Sequence, residues 1–123
     1  MSKSRVTQAL QALNDFFSAF LPAYAEGCAP DAAPLPYITY RLAVPATMGE
    51  MPFYARVWYR APGYQEIAAL LDQISAAIGP GCCLPTESGD LWLYKQDPFL
   101  QFLPQPDPHL KCAYLNLKLS ANL

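Results

Sequence analysis

Few residues in this sequence have the types and spacing that chemistry requires. The single histidine, His109, lies in a proline-rich stretch, with Asp107 before it and Cys112 after it. A thiol nucleophile served by an imidazole base needs these residue types. The spacing argues against that pairing, because Cys112 falls within an alternating run expected to be a strand, and a third, orienting group would have to come from elsewhere in the fold. A loop histidine beside a strand cysteine is the favoured reading. The other thiols are Cys28, Cys82 and Cys83. Cys82 and Cys83 are adjacent, so one tetrahedral metal cannot take both as it takes a Cys-x-x-Cys pair. Four ordinary thiols are expected, with no catalytic residue, no metal site and no cofactor.

Acidic residues give no stronger signal. Asp15, Glu26, Asp31, Glu50, Glu66, Asp72, Glu87, Asp90, Asp97 and Asp107 are scattered singly, as solvation and turn formation would have them. Gly79-Pro80-Gly81 follows a helical pattern, whereas a phosphate-cradling loop precedes one. The net charge is -2, with no basic stripe, so sequence-specific nucleic-acid recognition is not expected. Aromatic residues are plentiful but lack flanking lysines and arginines in the sequence, and so do not read as a base-stacking platform.

The elements that position these residues form one domain over residues 1–123, with 53% apolar residues and 13 prolines. The centre is residues 53–60, Phe53-Tyr54-Ala55-Arg56-Val57-Trp58-Tyr59-Arg60, whose aromatic and β-branched content predicts a strand. Its alternation puts Tyr54, Arg56 and Trp58 on one face and Phe53, Val57 and Tyr59 on the other. Pro62-Gly63 breaks it, and Ile67, Leu70, Leu71, Ile74 and Ile78 then mark one face of a helix that Gly79-Pro80-Gly81 stops.

Before the central strand, Ser4 is the expected N-cap of a helix reaching about Leu21, with Val6, Leu10, Leu13, Phe17 and Phe20 on its apolar arc. Residues 23–35 read as a loop. Residues 36–42 read as a strand with Ile38, Tyr40 and Leu42 on one face, and residues 43–52 as a projecting connection. After the second helix, residues 81–90 read as a loop and 91–95 as a short strand. Asp97-Pro98 is expected to turn the chain into residues 99–103. Residues 104–108 are too proline-dense for a strand. Residues 111–120 close the fold, with Cys112, Tyr114, Asn116 and Lys118 opposite Ala113, Leu115, Leu117 and Leu119. The predicted fold is α+β, with two helices on one face of a small mixed or antiparallel sheet, in the order α-β-β-α-β-β(-β).

That scaffold carries more aromatic bulk than one modest core absorbs, and exposed aromatic patches mark subunit contacts. The candidate interface residues are Phe16, Phe20, Met48, Met51, Phe53, Tyr54, Trp58, Phe99 and Phe102, with the connection at 43–52 and the loop at 104–108. The N-terminus has no signal core and no apolar run is long enough to span a membrane, so a cytosolic protein is expected.

Three segments resemble the tail-completion or tail-terminator proteins of long-tailed bacteriophages and prophages, also described as minor tail or head–tail joining proteins. They are the opening helix at 6–20 followed by Pro36-Tyr37-Ile38-Thr39-Tyr40; Val57-Trp58-Tyr59-Arg60 leading into the helix at 64–78; and Asp97-Pro98-Phe99-Leu100-Gln101-Phe102 with Tyr114-Leu115-Asn116-Leu117. The resemblance implies an α+β subunit of a ring, commonly of six copies, that caps the tail tube and meets the head connector. It implies no enzyme activity and no cofactor, assembly in the host cytoplasm and residence in the virion tail, with DNA passing through the lumen unread. The alternatives are another oligomeric adaptor module, or a small cytosolic hydrolase or metal-binding protein using His109 with Cys82, Cys83 or Cys112.

Overall fold

The computed structural model describes residues 4–47 and 49–123. Helix α1 (Arg5–Ser18) begins at Ser4, whose hydroxyl accepts a hydrogen bond from the Thr7 N–H at 3.1 Å, the expected N-cap. Strands β1 (Ala23–Ala25), β2 (Tyr37–Leu42) and β3 (Glu50–Arg60) follow. A 3-10 turn at Gln65–Ile67 leads into α2 (Ala68–Ile78), which ends at Gly79 with φ of +56°. Strands β4 (Cys82–Pro85), β5 (Asp90–Leu103) and β6 (Leu110–Asn122) complete the chain.

The strands form one six-stranded sheet in the order β1-β2-β3-β6-β5-β4. Only β1 and β2 are parallel; the other neighbours are antiparallel. The sheet curls as a half-barrel, and α1 lies against both of its outermost strands, β1 and β4.

The mixed sheet and the two helices agree with the sequence reading, but the strand order does not. Three strands precede α2, because the expected loop at 23–35 contains β1, whose three residues are held by parallel pairing to β2. The expected loop at 81–90 contains β4, which pairs Cys82 with Leu93 through to Pro85 with Asp90. The expected turn at Asp97-Pro98 is a register break inside one strand. Pairing of β5 with β6 stops after Lys95↔Leu117 and resumes at Leu100↔Leu115. Proline has no N–H to give the ladder, so residues 96–99 bulge opposite Asn116 while the strand continues beyond them. Glu50–Pro52, read from the sequence as the end of a projecting connection, belongs to β3.

Alternation places the core. Along β3 the buried residues are Met51, Phe53, Ala55, Val57 and Tyr59; along β6 they include Ala113, Leu115, Leu117 and Leu119. Both helices cover this face, burying Ala9, Leu13 and Phe17 from α1 and Leu71, Ile74 and Ile78 from α2. Phe53 sits at the centre, stacked on Phe17 at 5.8 Å and on Tyr40 at 5.9 Å. Truncating a fully buried phenylalanine removes its transfer free energy and leaves a cavity. Phe53→Ala is expected to lower unfolding free energy by about 3–5 kcal/mol in urea titration. A loss below about 1 kcal/mol would show that the residue is not at the packing centre.

Candidate interaction surface

The opposite sheet face is covered by neither helix and carries the side chains that alternate outward. From β2 come Tyr37, Thr39 and Arg41; from β3 Tyr54, Arg56 and Trp58; from β6 Tyr114, Asn116 and Lys118; from β5 Trp92 and Tyr94. Cross-strand register builds them into a continuous layer. Arg41 lies over the Tyr54 ring at 5.4 Å, Tyr54 stacks on Tyr114 at 5.7 Å, and Arg56 lies over Tyr114 at 5.7 Å. Lys118 Nζ is 5.6 Å from the Tyr94 ring, which in turn stacks with Trp92 at 6.3 Å. Trp58 donates its indole N–H to Thr39 Oγ1 at 2.9 Å. The expectation of aromatics without flanking cations is therefore corrected: residues far apart in sequence interleave on this face. Glu26 reaches Arg41 at 3.7 Å and Arg56 at 3.9 Å, and Glu50 reaches Lys118 at 3.4 Å, so the cations are largely offset.

A second feature is a groove of about 480 Å³ between α1 and the β1–β2 edge, lined by Val6, Leu10, Leu42, Val44, Glu26 and Arg41 among others. Val6 and Val44 are 40% and 43% exposed, and with Tyr64 and Trp92 they are the large apolar side chains left most open among the described residues.

The candidate interface residues divide between surface and core. Tyr54 and Trp58 are half-buried on the open face. Phe16 and Phe20 are half-buried along α1 and its end, edge-to-face at 5.6 Å, and Phe99 and Phe102 are half-buried on β5. Met51 and Phe53 are wholly buried, which corrects their place in the interface set: their strand positions point under the helices. Met48 lies outside the described residues. The loop at 104–108 is pinned by Asp107, which binds Arg60 at 2.8 Å, and by Lys111 Nζ donating to the Pro108 carbonyl. Trp92 and Val6 were not among the expected interface residues, whereas Val44 lies in the connection at 43–52 that was. The Leu91-Trp92-Leu93 alternation, with both leucines buried, is the sequence signal that could have placed Trp92 outside.

The chemistry-bearing residues stay dispersed. His109 is exposed in the β5–β6 loop, and its backbone N–H donates to Asp107 Oδ1 at 2.9 Å. The hydrogen bond from Arg60, reinforced by that main-chain contact, holds the Asp107 carboxyl below its usual range. Cys82 and Cys83 point to opposite faces of β4, Cys82 against the core and Cys83 exposed. Burial, reinforced by the Asp90 carboxylate, pushes the Cys83 thiol up. Cys112 is fully buried, and burial pushes its thiol up to about 11, the reverse of nucleophile activation. Among the described residues no three of His, Cys, Asp and Glu form a cluster that could hold a metal ion. Among them, too, no helix is long and apolar enough to cross a membrane.

No known protein-family model matches the chain, and no curated protein is detectably similar in sequence. The class defined by the structure is a mixed α/β domain with one helix-covered and one open sheet face.

Cys112 provides a pH prediction. Its unfolded thiol ionises near 9.0 and its folded one near 11, so the unfolded state releases the proton first. The contribution is fully present below pH 9 and declines as pH rises from about 9 to 11, by roughly 2 kcal/mol. Denaturant titrations of wild type and Cys112→Ala across that range should show the shallower decline in the variant. Parallel curves would contradict the assignment.

Proposed function

We propose that this chain is a structural subunit of a long-tailed bacteriophage or prophage, a ring-former that terminates the tail tube and joins it to the head. The observation that carries the reading is the one-sided layering of the fold. Helices bury one sheet face, while the other keeps Tyr54, Trp58, Tyr94 and Tyr114 half-buried and Trp92 exposed. Exposed apolar and aromatic surface of this kind on a small domain marks contacts with other chains. The mixed sheet with two covering helices is the architecture expected from the resemblance to tail-terminator proteins.

In this role the partners are other copies of the chain, commonly six in a ring, the tail-tube protein below and the head connector above. The subunit performs no reaction and needs no cofactor. DNA passes through the lumen without its sequence being read, in keeping with cations on the open face that are offset by Glu26 and Glu50. The protein assembles in the host cytoplasm and resides in the virion tail.

Capping tests this reading. Purified tail tubes that lack a terminator are incubated with the protein and imaged by negative stain. A disc of added protein at one end of each tube is the expected result. Bare ends at saturating protein, or decoration along the tube wall, would contradict the proposal.

A further inference from the structure

The two ends of the sheet carry complementary features. At the β1–β2 end lies the groove whose apolar wall is Val6, Leu10, Leu42 and Val44. Arg41 and Glu26 stand on its rim, and the Glu26 carboxylate is divided between Arg41 at 3.7 Å and Arg56, outside the groove, at 3.9 Å. Arg41 keeps 61% of its side chain exposed. At the other end, the β4–β5 hairpin presents Trp92, 39% exposed and stacked against Tyr94, with the exposed Asp90 carboxylate two residues before it on the same strand. Asp90 shares the open face with Trp92, because the two are two residues apart on one strand.

Backbone pairing between copies is an unfavourable way to join these ends. The carbonyls of β1 are already engaged: Ala23 O accepts from Asn14 Nδ2 at 3.1 Å, and Ala25 O accepts from the Cys28 N–H at 2.9 Å. The opposite edge strand, β4, ends in Pro85, which has no N–H to donate. Contact through side chains remains.

We propose that Trp92 of one copy seats in the Val6–Val44 groove of the next, with Arg41 of the groove facing Asp90 of the incoming hairpin. The occupant is a second copy of this chain. An indole held by a stacked neighbour is a preorganised anchor, and the opposed charges at groove and hairpin favour this orientation over its reverse. The two surfaces lie at different ends of the sheet, so a contact made once between each pair of copies is heterologous: each copy uses both, and repetition yields a closed ring or an open filament. The inference rests on the ring-subunit reading and names the contact that reading requires.

Sedimentation velocity over a concentration series on wild type, Trp92→Ala, Val44→Asp, Arg41→Asp, Asp90→Arg and the Arg41→Asp/Asp90→Arg pair provides the test. All these positions are exposed, and circular dichroism confirms that each variant is folded. Wild type is expected to associate beyond a dimer. Each single variant should associate at least roughly tenfold more weakly, and the charge-swapped pair should regain much of the loss. Wild-type assembly unchanged by Trp92→Ala and Val44→Asp would overturn this contact while leaving the tail-terminator reading to the tube-capping result. A wild-type chain that stays monomeric into the millimolar range would overturn the contact as well.

Discussion

The fold depends on how α1 is held across the open side of a curled sheet. A half-barrel leaves its outermost strands, β1 and β4, without strand partners on their outer sides, and α1 ties to both. Gln8, almost wholly buried, accepts the Ser88 N–H at 2.9 Å and donates to Ser88 Oγ at 2.8 Å, fastening the helix to the β4–β5 hairpin. Two turns later, Asn14 donates to the Ala23 carbonyl of β1 and, at 2.8 Å, to the Tyr40 hydroxyl of β2. Between these tethers, Ala9, Leu13 and Phe17 fill the hollow of the sheet. Buried amides are costly unless bonded, so the bonds set the helix's register at both edges while the apolar residues supply most of the stabilisation.

This arrangement commits all the helix surface to one side of the sheet. The other side can hold aromatic rings only by packing them against one another and against guanidinium and ammonium groups, as Arg41, Tyr54, Tyr114 and Arg56 do. Such a layer is amphipathic, and most of its rings are half-buried without being covered. These are the properties of a surface that meets other protein chains. The same side contains Arg41 and Arg56 beside Glu26 and Lys118 beside Glu50, so its cations are largely offset.

Much of this could be read from the sequence where a pattern extends over several residues. The alternation along residues 53–60 and 111–120 and the helical spacing from Ile67 to Ile78 each specify a buried face, and each is buried as expected. Ser4 as N-cap and Gly79 as helix stop follow from local chemistry alone. The short strands could not be read in this way. Ala-Tyr-Ala of β1 and Cys-Cys-Leu-Pro of β4 have little propensity and no usable period, and exist because a neighbouring strand offers them a ladder. The continuity of β5 through Pro98 depends likewise on β6 re-pairing at Leu100. At the interaction surface, Tyr54 and Trp58 were legible, but the cation–aromatic layer was not, since it is made by register between strands: Arg56 meets Tyr114 only because β3 and β6 pair at those positions. The groove formed by Val6 and Val44 joins a helix to a loop far along the chain and has no sequence period at all.

Native mass spectrometry of the concentrated protein decides whether the chain closes into a ring, because it counts copies. A closed ring built from one heterologous contact predicts a single dominant species at one multiple, above two, of the 13.6 kDa chain, without a ladder beyond it. A population that stops at a dimer, or remains monomeric at every concentration, would contradict the account of this chain as a subunit that closes into a ring through the two ends of its sheet.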